Sequence, residues 1–338
     1  MQQIVLETPG RLAEADGPEP RQGPGEALVR VHRIGICGTD LHAFHGRQPF
    51  FSYPRILGHE LGVEVIDPGD EPHGLKSGDH CSVEPYLNCG HCIACRHGKP
   101  NCCTELKVLG VHVDGGMRAR LTLPARKLHR SRKLGFDQLA LVETLAIGAH
   151  AVERAAIAPG EFVLVVGAGP IGLSAIQFVQ VSGARLAVMD LSENRLEFCR
   201  RQLGVGHTLA PGPDLAERLR AIGEGDLPTL VIEATGNAQS MARSFELPSH
   251  GGRIVFVGLF QGEVTFNDPN FHRRELTLLA SRNALPATFR EIISLIEDGR
   301  VDTSPWITHR LRLSELPESF AGVAADPNLI KAMAELAG

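Results

Sequence analysis

Six short β-rich apolar runs recur at a nearly constant interval through the second half of the chain. They begin near Glu161, Arg185, His207, Thr229, Arg253 and Glu275, which is 24, 22, 22, 24 and 22 residues apart. Neighbouring parallel strands need a crossover of a dozen or more residues, so this interval leaves room for one strand and one helix per unit and for little else. Phe162-Val-Leu-Val-Val166 and Arg253-Ile-Val-Phe-Val257 are apolar without alternation, as strands covered on both faces must be. The pattern Pro170 to Val181 reads as a helix with Pro at an early position, where its missing N–H costs nothing. An α/β architecture follows, with a doubly wound, parallel, six-stranded sheet.

The flanks read differently. Residues 1–142 contain short β segments such as Ala27–Val31, Val63–Ile66 and His80–Val83, each with Gly or Pro nearby, and no long helix. Beyond 285, Ala287 to Asp298 carries Phe289, Ile292, Ile293 and Ile296 at helical spacing; a β-like run, Trp306 to Leu313, then Ser314 to Val323 and a final helix follow. That tail is too short to stand alone and is expected to pack on the N-terminal β domain. The 338 residues thus divide into 1–142 with 285–338, and 143–284. With 34 Lys+Arg against 39 Asp+Glu the net charge is −5, which argues against sequence-independent nucleic-acid binding. No apolar run reaches the ~18 residues of a membrane span. Met1 to Gly10 lacks the basic and apolar regions of a secretory signal, so a cytoplasmic location is expected.

Gly167-Ala-Gly-Pro170-Ile171-Gly172 follows the first parallel run and opens a helix, and Asp190 ends the next run. This is the dinucleotide-binding arrangement: Gly167 for a tight turn, Gly169 for approach of the pyrophosphate, Gly172 for helix–strand packing. The helix N-terminus offers free N–H groups to phosphate. Asp190 would accept from the adenosine ribose and repel a 2′-phosphate, favouring NAD, whereas Arg195, Arg200 or Arg201 would partly reverse that preference. Thr235 in Glu233-Ala-Thr-Gly236 and Gly258 sit at later strand ends, as cofactor contacts or as ordinary turns.

Five of the eight cysteines lie within 89–103. Cys89-x2-Cys92-x2-Cys95-x7-Cys103 has the spacing of a closed, structural four-thiolate zinc site, of a kind that contributes on the order of 10 kcal/mol to ordering its segment; an iron–sulfur site and a redox pair are the alternatives. Cys102 is a possible competitor for the fourth position; Cys81 and Cys199 read as buried thiols. Separately, Cys37-Gly-Thr39-Asp-Leu-His42 and Gly58-His59-Glu60 offer a thiolate, an imidazole and a carboxylate, a donor set that suits a catalytic zinc with an open position.

With these segments in this order, nearly the whole chain resembles the zinc-containing medium-chain alcohol and polyol dehydrogenases. The resemblance implies a GroES-like, mostly β catalytic domain beside the Rossmann domain. It implies a catalytic zinc held by Cys37, His59, Glu60 and Glu143, the last directly or through water. Alcohol dehydrogenases have a second Cys where Glu143-Thr-Leu-Ala146 stands, and sorbitol dehydrogenase-like members have a Glu. Two positions depart from the family pattern: Gly62 comes one residue early, with Val63 in the usual glycine place, and Thr144 replaces a Pro. Glu143 read without the resemblance is a carboxylate near a helix N-terminus.

The resemblance further implies oxidation of a secondary alcohol of a polyol or sugar acid with NAD, zinc acting as Lewis acid. Thr39 would take the substrate proton and His42 exchange it with solvent, with Glu60 at the metal. Arg282, in Ser281-Arg-Asn283, a segment similar to ones in galactonate and gulonate 5-dehydrogenases, is a candidate partner for a substrate carboxylate, or else contacts cofactor or backbone. Phe44, Phe50, Phe51 and Tyr53 line the pocket or belong to the core. A homodimer or homotetramer is implied. Threonine or simple alcohol oxidation, and a non-catalytic NAD-binding sensor, are the alternatives.

Overall fold

The computed structural model describes residues 1–48, 51–71 and 73–336; Phe50 lies outside them. The chain forms two compact units, Met1–Thr144 with Leu285–Gly338, and Leu145–Ala284.

In the first unit, strand Glu26–Ile36 is central. Ala27, Val29 and Val31 are buried, with half-buried residues between them, the period-two pattern of a strand with one face in a core. Around it runs a seven-stranded sheet in the order Ile307–Arg312, Lys331–Glu335, Glu26–Ile36, Glu60–Asp67, His80–Val83, Leu128–Ser131, with Arg120–Pro124 also pairing to Glu26–Ile36. The tail therefore does join the N-terminal β structure, but its last element is a strand rather than the expected helix. Lys331–Glu335 pairs parallel to Ile307–Arg312 and antiparallel to Glu26–Ile36. Its Lys-Ala-Met-Ala-Glu composition favours a helix locally, and two flanking partners override that preference.

A second difference lies upstream. A 20-residue helix, Phe136–Ala155, begins within the stretch read as lacking one. Leu139 to Ala146 are all buried, so no polar stripe reveals the helical period. Glu143 is accordingly well inside a helix and not at its N-terminus. The shifted glycine also finds its reason here: a Cβ on Gly62 would lie 2.2 Å from the carbonyl oxygen of Phe136, so the opening of that helix needs a glycine at 62.

The second unit carries the parallel six-stranded sheet. Its strands are Phe162–Val166, Arg185–Met189, His207–Leu209, Leu230–Glu233, Arg253–Phe256 and Thr277–Ala280. The spatial order is third, second, first, fourth, fifth, sixth, which puts the reversal of strand order at the first strand, where such folds bind ligands. All five residues of Phe162–Val166 are buried. Among the described residues no helix is long and apolar enough to cross a membrane.

Candidate metal centre and dinucleotide site

Cys37 caps the helix Gly38–Phe44, and His59 and Glu60 enter at the start of strand Glu60–Asp67. One ligand atom from each of Cys37, His59 and Glu60 falls in a cluster whose members all lie within 4.8 Å of one another, with His59 and Glu60 buried. Asp40 organises this cluster. Its carboxylate accepts the backbone N–H of Cys37 at 2.9 Å and of Gly58 at 3.4 Å, and its Oδ1 lies 3.8 Å from His59 Nδ1. That separation is too long for a hydrogen bond, and the buried His59 Nδ1 has no hydrogen-bond partner among the described residues. Sequence reasoning missed Asp40, although its position three residues after the capping residue is that of a capping box.

The charges ask for a cation. Burial pushes His59 down, but Cys37, Asp40 and Glu143 more than reverse it and hold the imidazole well above its usual range. Buried anions that raise a neighbouring histidine this far also favour a divalent cation. A thiolate, an imidazole and a carboxylate are the donor types of zinc, so the residues present fit the metal.

Two further groups, both unforeseen, hold the carboxylates. The Lys331 ammonium donates to both oxygens of Glu60, at 2.6 and 2.8 Å, to Ile36 O at 3.3 Å and to Thr144 Oγ1 at 3.0 Å. Thr144, where a Pro is usual, thus supplies Lys331 with an acceptor. Glu143 stands outside the 4.8 Å cluster and accepts the Tyr86 hydroxyl at 2.5 Å. Thr39 is half-buried and His42 exposed on the same short helix. Phe44 is 7% exposed, belongs to the core and packs on Phe320 with centroids 5.0 Å apart, which favours its core reading over a place at the substrate. Phe51 and Tyr53 also pack against that core.

In the cysteine-rich lobe the sulfurs of Cys89, Cys92, Cys95 and Cys103 lie mutually within 4.8 Å. Backbone N–H groups point at them: Cys89 N to Cys103 Sγ at 3.3 Å, Cys92 N to Cys89 Sγ at 3.4 Å and Glu105 N to Cys103 Sγ at 3.4 Å. The N–H groups of Cys95 and Thr104 pull the Cys92 thiol down to about 5. Such donors favour thiolate, the form that binds zinc. Cys102 is exposed and outside the cluster; Cys81 and Cys199 are buried, and burial pushes both thiols up to about 12.

In the second unit, Gly167 has φ +97°, and a Cβ on Gly172 would lie 1.8 Å from Gly167 O, so neither position admits a side chain. Gly169 caps the helix Pro170–Val181 with no side-chain hydrogen bond. Pro170 has no N–H, and the N–H groups of Ile171 and Gly172 belong to the open first turn. Asp190 accepts Ala168 N–H at 2.6 Å and Ser192 N–H at 2.7 Å, so it shapes the loop as well as offering charge to a ribose. A Cβ on Gly169 would be 3.7 Å from Arg195 Nη1, one on Gly167 would be 2.9 Å from Thr235 Cγ2, and one on Gly258 would be 2.2 Å from Gly236 N. Gly167, Gly169, Asp190, Arg195, Thr235 and Gly258 are thus gathered at one end of the sheet. Glu233, buried at the end of its strand, pins the adjoining turn through Thr235 and Ser240. Arg282 is exposed just beyond the last strand.

This pairing of folds and sites defines a zinc-binding dehydrogenase. The pattern described as the alcohol dehydrogenase GroES-like domain matches residues 23–133, and that of the zinc-binding dehydrogenases matches residues 170–298. The chain belongs to the zinc-containing medium-chain alcohol and polyol dehydrogenase family. It is 42% identical over 320 residues to L-galactonate-5-dehydrogenase of Escherichia coli, covering 95% of this chain and 94% of that one. It is 31% identical to 2-dehydro-3-deoxy-L-galactonate 5-dehydrogenase of Pseudoalteromonas atlantica, covering 92% of each. Among solved structures, an alcohol dehydrogenase from E. coli CFT073 complexed with NADH superposes with a TM-score of 0.90 at 30% identity, covering 99% of both chains.

Proposed function

We propose that the protein oxidises a secondary hydroxyl of a sugar acid of the L-galactonate type with NAD⁺. The observation that carries the reading is the Cys37–His59–Glu60 cluster, with His59 and Glu60 buried, in a chain 42% identical to an L-galactonate-5-dehydrogenase. When bound, zinc polarises the substrate oxygen as a Lewis acid and NAD⁺ accepts the hydride. Cys37, His59 and Glu60 hold the metal, with Glu143 beside them. Asp40 fixes the backbone at Cys37 and Gly58 on either side of the cluster, and Lys331 fixes the Glu60 carboxylate. Thr39, half-buried, accepts the proton of the substrate hydroxyl as it gives up its own, and exposed His42, one turn on, is the group that releases a proton to solvent. Cys89, Cys92, Cys95 and Cys103 hold a structural zinc. Gly167, Gly169, Pro170, Ile171, Gly172, Asp190, Arg195, Thr235 and Gly258 form the NAD site, and Arg282 binds the substrate carboxylate. Two copies assemble through the exposed edge of the parallel sheet, and a chain whose cysteines serve as zinc thiolates suits the reducing cytoplasm.

The test is NAD⁺ reduction measured over aldonates, neutral polyols, threonine and simple alcohols. L-Galactonate or a close aldonate is expected to give the highest kcat/KM. Arg282→Ala should raise KM for the acid about tenfold or more, as loss of a charged hydrogen bond of ~1.5–3 kcal/mol does. Equal turnover of neutral polyols and aldonates, unchanged in Arg282→Ala, removes the carboxylate from the reading.

A further inference from the structure

We propose that Tyr86 is a positioning residue for the metal centre: its hydroxyl holds the Glu143 carboxylate beside the Cys37–His59–Glu60 cluster and keeps it from becoming a fourth donor. This rests on the metal-site reading above and adds to it a control over how many positions the protein fills.

Two buried carboxylates adjoin one small donor cluster, and each has its own hydrogen-bond donor. Glu60 is in the cluster and is held through both oxygens by Lys331. Glu143 is outside it and is held by Tyr86 at 2.5 Å. A hydrogen-bond donor fixed on one oxygen of a carboxyl group sets its rotamer. The backbone of Glu143 is fixed inside the helix Phe136–Ala155, which leaves its side-chain torsions to decide what the carboxylate reaches.

The hydroxyl of Tyr86 is placed by packing that does not need the hydroxyl. Tyr86 is 2% exposed. Its strand, Tyr86–Leu87, pairs with Lys107–Val108, and its ring meets Phe289 edge-on with centroids 6.1 Å apart. Phenylalanine at 86 would keep those contacts and remove only the donor. Glu143, 4% exposed, would then be a buried carboxyl short of a hydrogen-bond partner, which is costly, and a cation held by the cluster is the partner within reach. Three protein donors leave a coordination position open for substrate, and four close it. Tyr86 thereby keeps the centre catalytic in form.

The experiment uses the full-length protein with cobalt(II) at the triad and zinc retained in the cysteine lobe, with imidazole as the probe of an open position. In the wild type, imidazole should shift the visible cobalt spectrum. In Tyr86→Phe the resting spectrum should differ, imidazole should no longer shift it, and chelator competition should show cobalt held at least tenfold more tightly. Tyr86→Phe/Glu143→Ala should restore the imidazole response. Glu143→Gln alone should leave the resting cobalt spectrum as in the wild type, because the carboxylate is already outside the cluster. A Tyr86→Phe protein with the wild-type spectrum and imidazole response overturns the proposal, as does a changed resting spectrum in Glu143→Gln. A wild-type cobalt spectrum that survives Cys37→Ser overturns the metal-site reading itself, a result distinct from either.

Discussion

Lys331 shows what one buried side chain contributes. It is 2% exposed and bonded to Glu60, which lies 271 residues earlier in the chain. Burial opposes charge on both groups, yet Glu60 is held below its usual range by Lys331 and His59, and Lys331 above its own chiefly by Glu60. A depressed carboxylate contributes stability that is present above its unfolded value, ~4.3, and lost as pH falls through the folded value. A raised lysine contributes below ~10.4 and loses its part as pH climbs through the folded value. The pair is therefore whole across the neutral range. Lys331→Met in metal-free protein should cost about 3–5 kcal/mol at pH 7.5, because it strands a buried charge. The loss should shrink at pH 4.5, where the stranded Glu60 takes up a proton. Denaturant unfolding at both pH values checks this, and an equal loss at each would remove the ion pair as its source. Nothing near Lys331 in the sequence announces this role. Cys37, His59 and the four lobe cysteines were legible because their chemistry lies in residue type and short spacing. Lys331, Asp40 and Tyr86 act through partners that only the folded chain supplies.

Among elements, legibility follows how local the determinant is. The six parallel strands were readable because each is a self-contained apolar run at a βα interval. The final strand was not, because Lys331–Glu335 is a strand only by virtue of its neighbours, Ile307–Arg312 and Glu26–Ile36. The helix Phe136–Ala155 was not, because burial on all sides of Leu139 to Ala146 erased its period. Asp137, in that helix's first turn, ties it to two strands: it accepts Arg33 Nε at 2.8 Å and Arg310 Nη2 at 2.6 Å. Burial raises its carboxyl, and Arg310 and then Arg33 more than reverse this, leaving it below the usual range. Its contribution is present above ~3.9 and is lost as pH falls through the depressed value. Asp137 remains partly exposed, so solvent screening limits the effect. Asp137→Asn should cost about 1 kcal/mol at pH 7 and 50 mM salt, and less in 1 M salt. A loss of stability that salt leaves unchanged would point to packing at the helix start.

For the whole molecule, the last parallel strand is the edge through which the proposed assembly would form. Thr277–Ala280 pairs with Arg253–Phe256 on one side only, at the rim of the sheet. Most of it is exposed, Leu278 to 39%. Thr277 and Ser281 donate their N–H groups inward, to Gly252 O and Phe256 O. Backbone direction alternates along a strand, so the N–H groups of Leu278 and Ala280 point away from the sheet. A rim of this kind, with an exposed apolar side chain and no proline, is a template for another strand, with Arg154 Nε donating to Ala280 O at 3.3 Å at its far end. In a homo-oligomer the closed solution is the same strand of a second copy across a two-fold axis. Light scattering on the wild-type protein should therefore give a mass of at least two chains. Leu278→Pro removes one outward N–H and leaves the inward donors in place, so it should give the mass of one chain with far-ultraviolet circular dichroism unchanged. A wild type that runs as a single chain, or a Leu278→Pro variant that remains associated, would move the interface elsewhere on the molecule.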